Sequence, residues 1–433
     1  MKFLCTIIAY IFLGALPWGC EFDTRGIDPC SIAAQIPDII VSPYESGIKT
    51  ITNIPNELAV YQGSACGKLD KTNESDVQIR GLLALPQWAT NATVFLNGWK
   101  LEFAEDDHHV RTIGAMINGI RLEDIQNGKR IKWNVVGLLG DYNYDDAFSF
   151  CYNYTVIAWN ESSLKLAVDH TGNCTQGTSV YNTYPIRGYS RLRNLPRKTP
   201  ATMLPRGFFF RLSDKDDHHL LQLAYNIVGS ERILGNTHYN TNPSNPNQLA
   251  ENTSRYDSAG MISWNTQVIY KDKAEFWSPT PGKDGYIFGE QVTSIGGEKM
   301  GVIHPPYLVT PVDDNGFLTG TIPTGSSQVV TKEYIINNIP FESAIPVLTG
   351  WNLNYEGEDH HVRKMGVWIS DWSYTKLPRA TRGILKYTLK SILADDSESY
   401  SVVSHRVTVL GLKPVALVQQ EGGEDLPGLP DLR

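Results

Sequence analysis

The stretch Gly98-Trp99-Lys100-Leu101-Glu102-Phe103-Ala104-Glu105-Asp106-Asp107-His108-His109-Val110-Arg111 decides how this chain is read, because it recurs. It returns as Gly350-Trp351-Asn352-Leu353-Asn354-Tyr355-Glu356-Gly357-Glu358-Asp359-His360-His361-Val362-Arg363. A looser copy lies between them, Gly207-Phe208-Phe209-Phe210-Arg211-Leu212-Ser213-Asp214-Lys215-Asp216-Asp217-His218-His219-Leu220. Six of the ten histidines belong to these three pairs, so the repeat is the dominant signal. Leu101 and Phe103 alternate with Lys100 and Glu102, the period of a half-buried strand.

Working outward, each copy sits in a stretch of short strand candidates. Val94-Phe95-Leu96 precedes the first copy, and Ile131 to Leu138 and Tyr152 to Trp159 follow it. Ser401 to Leu410 closes the third in the same way. No long amphipathic helix stands out, and turn residues come often, which argues for sandwiches or barrels. The expected fold is all-β: three tandem, diverged β-sandwich-like units with an N-terminal disulfide-tied segment. The expected boundaries are a signal peptide over 1–20 and an N-terminal segment over 21–74. Repeat units follow at 75–162, 201–275 and 335–417. A basic linker over 163–200 and an insertion over 276–334 separate them, and the tail over 418–433 reads as disordered. Asn236 to Asn247, rich in Asn and Pro, reads as a surface loop.

Composition bounds the function. With 433 residues, 41% of them apolar and 19% charged, the chain can bury several cores. A formal charge of −8 argues against nucleic acid as a partner. Lys2 and the apolar run Phe3–Leu16 read as a secretion signal, and no later stretch reads as a transmembrane helix. Cys20 at the expected cleavage point raises a lipid anchor as an alternative, although Leu16-Pro17-Trp18-Gly19 fits a lipobox poorly. In an exported chain Cys30, Cys66, Cys151 and Cys174 form an even set, paired by proximity as Cys30–Cys66 and Cys151–Cys174. Sequons at Asn73, Asn91, Asn153, Asn160, Asn173 and Asn252 favour a secreted glycoprotein.

Three readings compete for the Asp-His-His motif. In a strand, Asp106 and His108 share one face and Asp107 and His109 the other. A carboxylate beside an imidazole fixes its tautomer, so the motif can be purely architectural. Alternatively Asp107, His108, His109, Asp217, His218, His219, Asp359, His360 and His361, with a neighbouring Trp or Tyr, form contacts for a sugar or other polar ligand. The third reading makes them zinc ligands. Calcium has a separate candidate, because Asp141, Asn143 and Asp145 place side-chain oxygens at alternate positions of a loop. The matching stretch of the third unit, Ser391 to Asp396, keeps only the final acidic pair of that loop.

Enzyme signatures are missing: no Gly-x-Ser-x-Gly, His-Glu-x-x-His, P-loop or dinucleotide fingerprint is present. Triplication favours a binding or structural element over a single catalytic centre. The acidic loop, Ala147-Phe148-Ser149-Phe150 and the strand ending Ile157-Ala158-Trp159 resemble the back half of H-type lectin domains. That resemblance implies a small secreted β-sandwich that binds sugars, often as an oligomer, and carries over no sugar-binding residue. The expected function is a secreted modular binding protein for carbohydrate or cell-surface ligands. A zinc- or calcium-dependent enzyme and a purely structural or adhesive protein are the alternatives.

Overall fold

The computed structural model describes residues 45–69, 76–104, 109–141, 146–177, 184–192, 199–212, 219–232, 237–242, 245–253, 261–271, 286–303, 318–324, 329–355, 361–377, 382–395 and 401–414. Every regular element among them is a strand. Strands form where apolar residues alternate: in Gly383–Ala394, Leu385, Tyr387 and Leu389 are buried while Lys386 is exposed. Where both faces are covered the alternation disappears, as over Ala92–Trp99, which is buried throughout.

The first unit contains β1 (Glu45–Ile54), β2 (Leu58–Leu69), β3 (Asp76–Ala84), β4 (Asn91–Phe103), β5 (Thr112–Ile125), β6 (Gly128–Gly140) and β7 (Phe148–Trp159). The second contains β8 (Leu166–Gly177), β9 (Tyr184–Arg191), β10 (Ala201–Leu212), β11 (Gln222–Arg232), the hairpin β12 (Thr237–Asn242) and β13 (Asn245–Thr253), then β14 (Met261–Lys271) and β15 (Tyr286–Gly297). The third contains β16 (Met300–Ile303), β17 (Leu318–Thr324), β18 (Val330–Ile339), β19 (Phe341–Tyr355), β20 (Lys364–Lys376), β21 (Gly383–Ala394) and β22 (Ser401–Pro414).

The three large sheets do not coincide with the three units. Their orders are β1-β2-β7-β4-β20-β21-β18, β3-β6-β5-β10-β15-β8 and β16-β22-β19-β11-β14-β9, with β17 also on β22. All pairings are antiparallel. Each unit therefore divides its strands between two of these sheets, with the hairpin β12–β13 forming a small sheet of its own. Its two halves pack face to face, as Trp133 on β6 does against Tyr154 on β7. The first unit joins the third through β4–β20, the second joins the first through β10–β5, and the third joins the second through β19–β11. The units close into a ring with one large apolar core running through all three and a small separate cluster of Met116, Val136, Leu138 and Phe209.

Several expectations change. The stretch 163–200 is not a bare linker, because it holds β8 and β9, edge strands of the second unit. Residues 276–334 divide between β15, which completes the second unit, and β16–β18, which begin the third. The Asn- and Pro-rich insertion forms the hairpin β12–β13 rather than an open loop. The disulfide joins Cys66 to Cys151, directly opposite one another on β2 and β7, so neither expected pair forms. Nearness in sequence misled here: the 85-residue separation collapses because the second strand and the closing strand of the unit, β2 and β7, are sheet neighbours. Cys174 lies on β8, and Cys30 falls outside the described residues.

Candidate metal centre

The repeated motif builds the three junctions in one register. Gly98–Glu102 runs opposite Trp368–Lys364, Gly207–Arg211 opposite Met116–Thr112, and Gly350–Asn354 opposite Asn226–Gln222. Each motif therefore supplies one strand to the junction behind it and leads into the strand of the next. The glycines permit this approach. A Cβ on Gly98 would lie 2.1 Å from Trp368 Cα, and one on Gly207 would lie 2.2 Å from the Ala115 carbonyl oxygen. Both adopt left-handed φ, 142° and 153°. At each motif glycine the register also slips against the unit's own closing strand, leaving Asn97, Arg206 and Thr349 as bulge residues. Two of them reach into the neighbouring unit: the Asn97 amide donates to the Pro346 carbonyl, and the Arg206 guanidinium donates to the Ile117 carbonyl.

The residue after each glycine points to the centre of the ring. Trp99, Phe208 and Trp351 meet there, with centroid separations of 5.1, 5.1 and 4.7 Å, and all three are buried. Leu96, Pro205 and Leu348 line a small apolar recess beside them. Such aromatic pairs each add about 0.5–1.5 kcal/mol beyond their burial.

At the other end of the motif the second histidine of each pair converges. His109, His219 and His361 have ring centroids 4.3, 4.4 and 4.9 Å apart. His109 Nε2 and His219 Nε2 are 2.7 Å apart, and one ligand nitrogen from each ring lies within 4.8 Å of the others. The rings are held from below. Val110, Leu220 and Val362, the residues that follow, are buried. The Phe103 amide donates to the Arg363 carbonyl and the Tyr355 amide to the Leu221 carbonyl, tying the loops of His361 and His219 to a neighbouring unit's strand, while the Arg111 amide after His109 donates to the Gly140 carbonyl of its own unit. Nearby, Glu102 of the first unit bridges Lys100 and Lys364, the latter from the third unit. Burial pushes its carboxyl up, but the two lysine hydrogen bonds outweigh this and hold it below the usual range.

The alternation argument for the motif does not apply at the histidines, because His109, His219 and His361 lie in the connections after the strands, not within them. Asp107, His108, Asp217, His218, Asp359 and His360 fall outside the described residues, as do Asn143 and Asp145 of the calcium candidate. Asp141 is buried immediately after β6, and register makes Asp395, immediately after β21, its counterpart. That corrects the match of Asp395 to the end of the acidic loop. Among the described residues, the motif's own aromatics Trp99, Trp351 and Tyr355 are core residues. Among the glycosylation candidates, Asn91 opens β4, Asn153 lies on β7, Asn160 follows β7, Asn173 lies on β8 and Asn252 on β13, while Asn73 is outside the described residues. The ring centre was missed from sequence; the signal for it was the shared glycine-to-aromatic step of all three copies.

Three imidazoles can share protons among themselves or present three nitrogen ligands to one metal ion. No protein-family model matches the sequence, and no curated protein matches it.

Proposed function

We propose that this is an exported binding protein that presents three equivalent β units around one axis, and that it recognises carbohydrate or another cell-surface ligand multivalently. The observation that supports this reading most is the identical register of the three junctions. A surface patch kept in all three units would stand at fixed geometry on each of them. Copying a site this way raises avidity by about 10²–10⁴ without improving any single contact. Export is favoured by the Cys66–Cys151 bond, since such bonds persist in oxidising compartments.

The test is a glycan array and a cell-binding assay with the labelled full chain. Binding to one sugar class on a dense surface, with far weaker competition by the same sugar free in solution, is expected. Silence on both the array and intact cells overturns the reading. A metal-dependent enzyme is the second reading, and the convergence of His109, His219 and His361 is the observation that favours it.

A further inference from the structure

We propose that His109, His219 and His361 together bind a single divalent transition-metal ion, with zinc the best fit, and that this ion fastens the three units at one end of their shared axis. The inference is independent of the recognition reading above.

The donors come from three different units, and their convergence is enforced by backbone, not by chance rotamers. Each histidine stands three residues before the strand that enters the junction, at Thr112, Gln222 and Lys364, and two residues before a carbonyl or amide tied down in the fold. A ring closed this way brings one imidazole per unit to one point.

The chemistry selects the ion. Calcium takes six to eight oxygen ligands, and this cluster offers nitrogen. Neutral imidazole suits zinc, copper and nickel. In a tetrahedral zinc site, with Zn–N of about 2.0–2.1 Å, ligand nitrogens stand roughly 3.4 Å apart. The His109–His219 Nε2 pair, at 2.7 Å, must open by under about 1 Å, and since all three nitrogens lie within 4.8 Å no pair must close by more than about 1.4 Å. Side-chain rotation of half-buried rings covers both changes without moving the strands. Three protein ligands leave a fourth position for water or an exogenous anion.

The repeat gains a physical reason from this. A single histidine in one unit binds no structural metal, whereas the same residue copied three times around an axis completes a site. Binding only the folded ring, the ion stabilises it by mass action.

The experiment uses the untagged full chain, freed of metal by chelation and then titrated with zinc. Saturable binding of one ion per chain is expected, together with a rise in thermal midpoint. His109→Gln, His219→Gln and His361→Gln should each weaken binding by about a hundredfold and abolish that rise, with an unchanged circular dichroism spectrum. His170→Gln should bind as wild type, because His170 Nδ1 is engaged with the Thr293 hydroxyl away from the cluster. Cobalt in place of zinc should give the intense visible bands of tetrahedral coordination. If the substituted chains do not fold, X-ray absorption of zinc-loaded wild type decides: three nitrogen donors near 2.0 Å support the site. Absence of saturable one-to-one binding, undiminished binding in His219→Gln, or an oxygen-only first shell overturns it.

Discussion

Trp264 donates its indole N–H to the buried carboxyl of Glu290 at 2.9 Å, joining the two half-sheets of the second unit. The same slot is filled in each unit by different chemistry. Register places Tyr152 opposite Trp99, Glu290 opposite Phe208 and His405 opposite Trp351. Each faces an aromatic polar group from the other half-sheet: Trp133 Nε1 donates to the Tyr152 hydroxyl at 3.3 Å, and the Tyr387 hydroxyl meets His405 Nε2 at 3.5 Å. A buried polar link across each sandwich is thus repeated while its residues have diverged.

The carboxyl member makes stability depend on pH. Burial pushes Glu290 up to about 7, against the opposing hydrogen bonds from Thr266, Trp264 and Tyr225. A raised carboxyl favours the protonated fold, so its contribution is complete below the ordinary value of 4.5 and is lost as pH rises to about 7. Relative to Glu290→Gln, the wild type should lose stability at about 1.4 kcal/mol per pH unit across that window and stay level above it. Urea melts of both proteins from pH 4 to 8 measure the difference. Parallel curves refute it.

His405 carries the opposite sign. Burial, with Lys332 nearby, lowers it to about 3, so the fold holds it neutral. Its contribution is present above its ordinary value of 6.5 and disappears as pH falls towards 3. His405→Leu should therefore melt with a shallower acid limb than the wild type, whatever its stability at neutral pH. An identical acid limb contradicts the neutral, buried imidazole.

The junction glycines predict a sharp contrast. Gly98→Ala puts a methyl against Trp368 backbone at a φ that alanine avoids, and should cost about 3 kcal/mol or prevent folding. Gly47→Ala meets nothing within 4 Å and should be neutral within about 0.5 kcal/mol. Paired thermal melts read both. Equal effects would mean that β20 does not pack against β4.

The Cys66–Cys151 bond ties the strands β2 and β7 of the first unit. Replacing both by serine should lower stability by about 2–4 kcal/mol and leave the spectrum native. A denaturation midpoint insensitive to reductant in the wild type would show the bond absent.

The all-β class and most strand positions were legible because period-2 burial is local, as in Leu101, Phe103 and the run Tyr152–Trp159. The unit boundaries were not. The strands β2, β8 and β9 carry no copy of the motif, and their place is set by partners far along the chain. The sharing of each sheet between two units was equally hidden, since which strand lies beside Trp99 depends on Val367 and not on its own neighbours. Triplication argues against a single catalytic centre, and the ring adds what the linear pattern does not show: copies related by an axis can converge on one point. The motif offers two histidines per copy, and it is His109, after the strand ends, whose ring meets its two counterparts.

Closure of the ring between the first and last units is the central claim, and one cross-link tests it. Glu102 and Lys364 face each other in register across β4 and β20, with an ion pair of 2.7 Å. The double variant Glu102→Cys, Lys364→Cys should form this disulfide on mild oxidation of the folded protein, detected by peptide mass mapping, without loss of stability. Both thiols remaining free, or pairing with other cysteines while the protein stays folded, would contradict the ring.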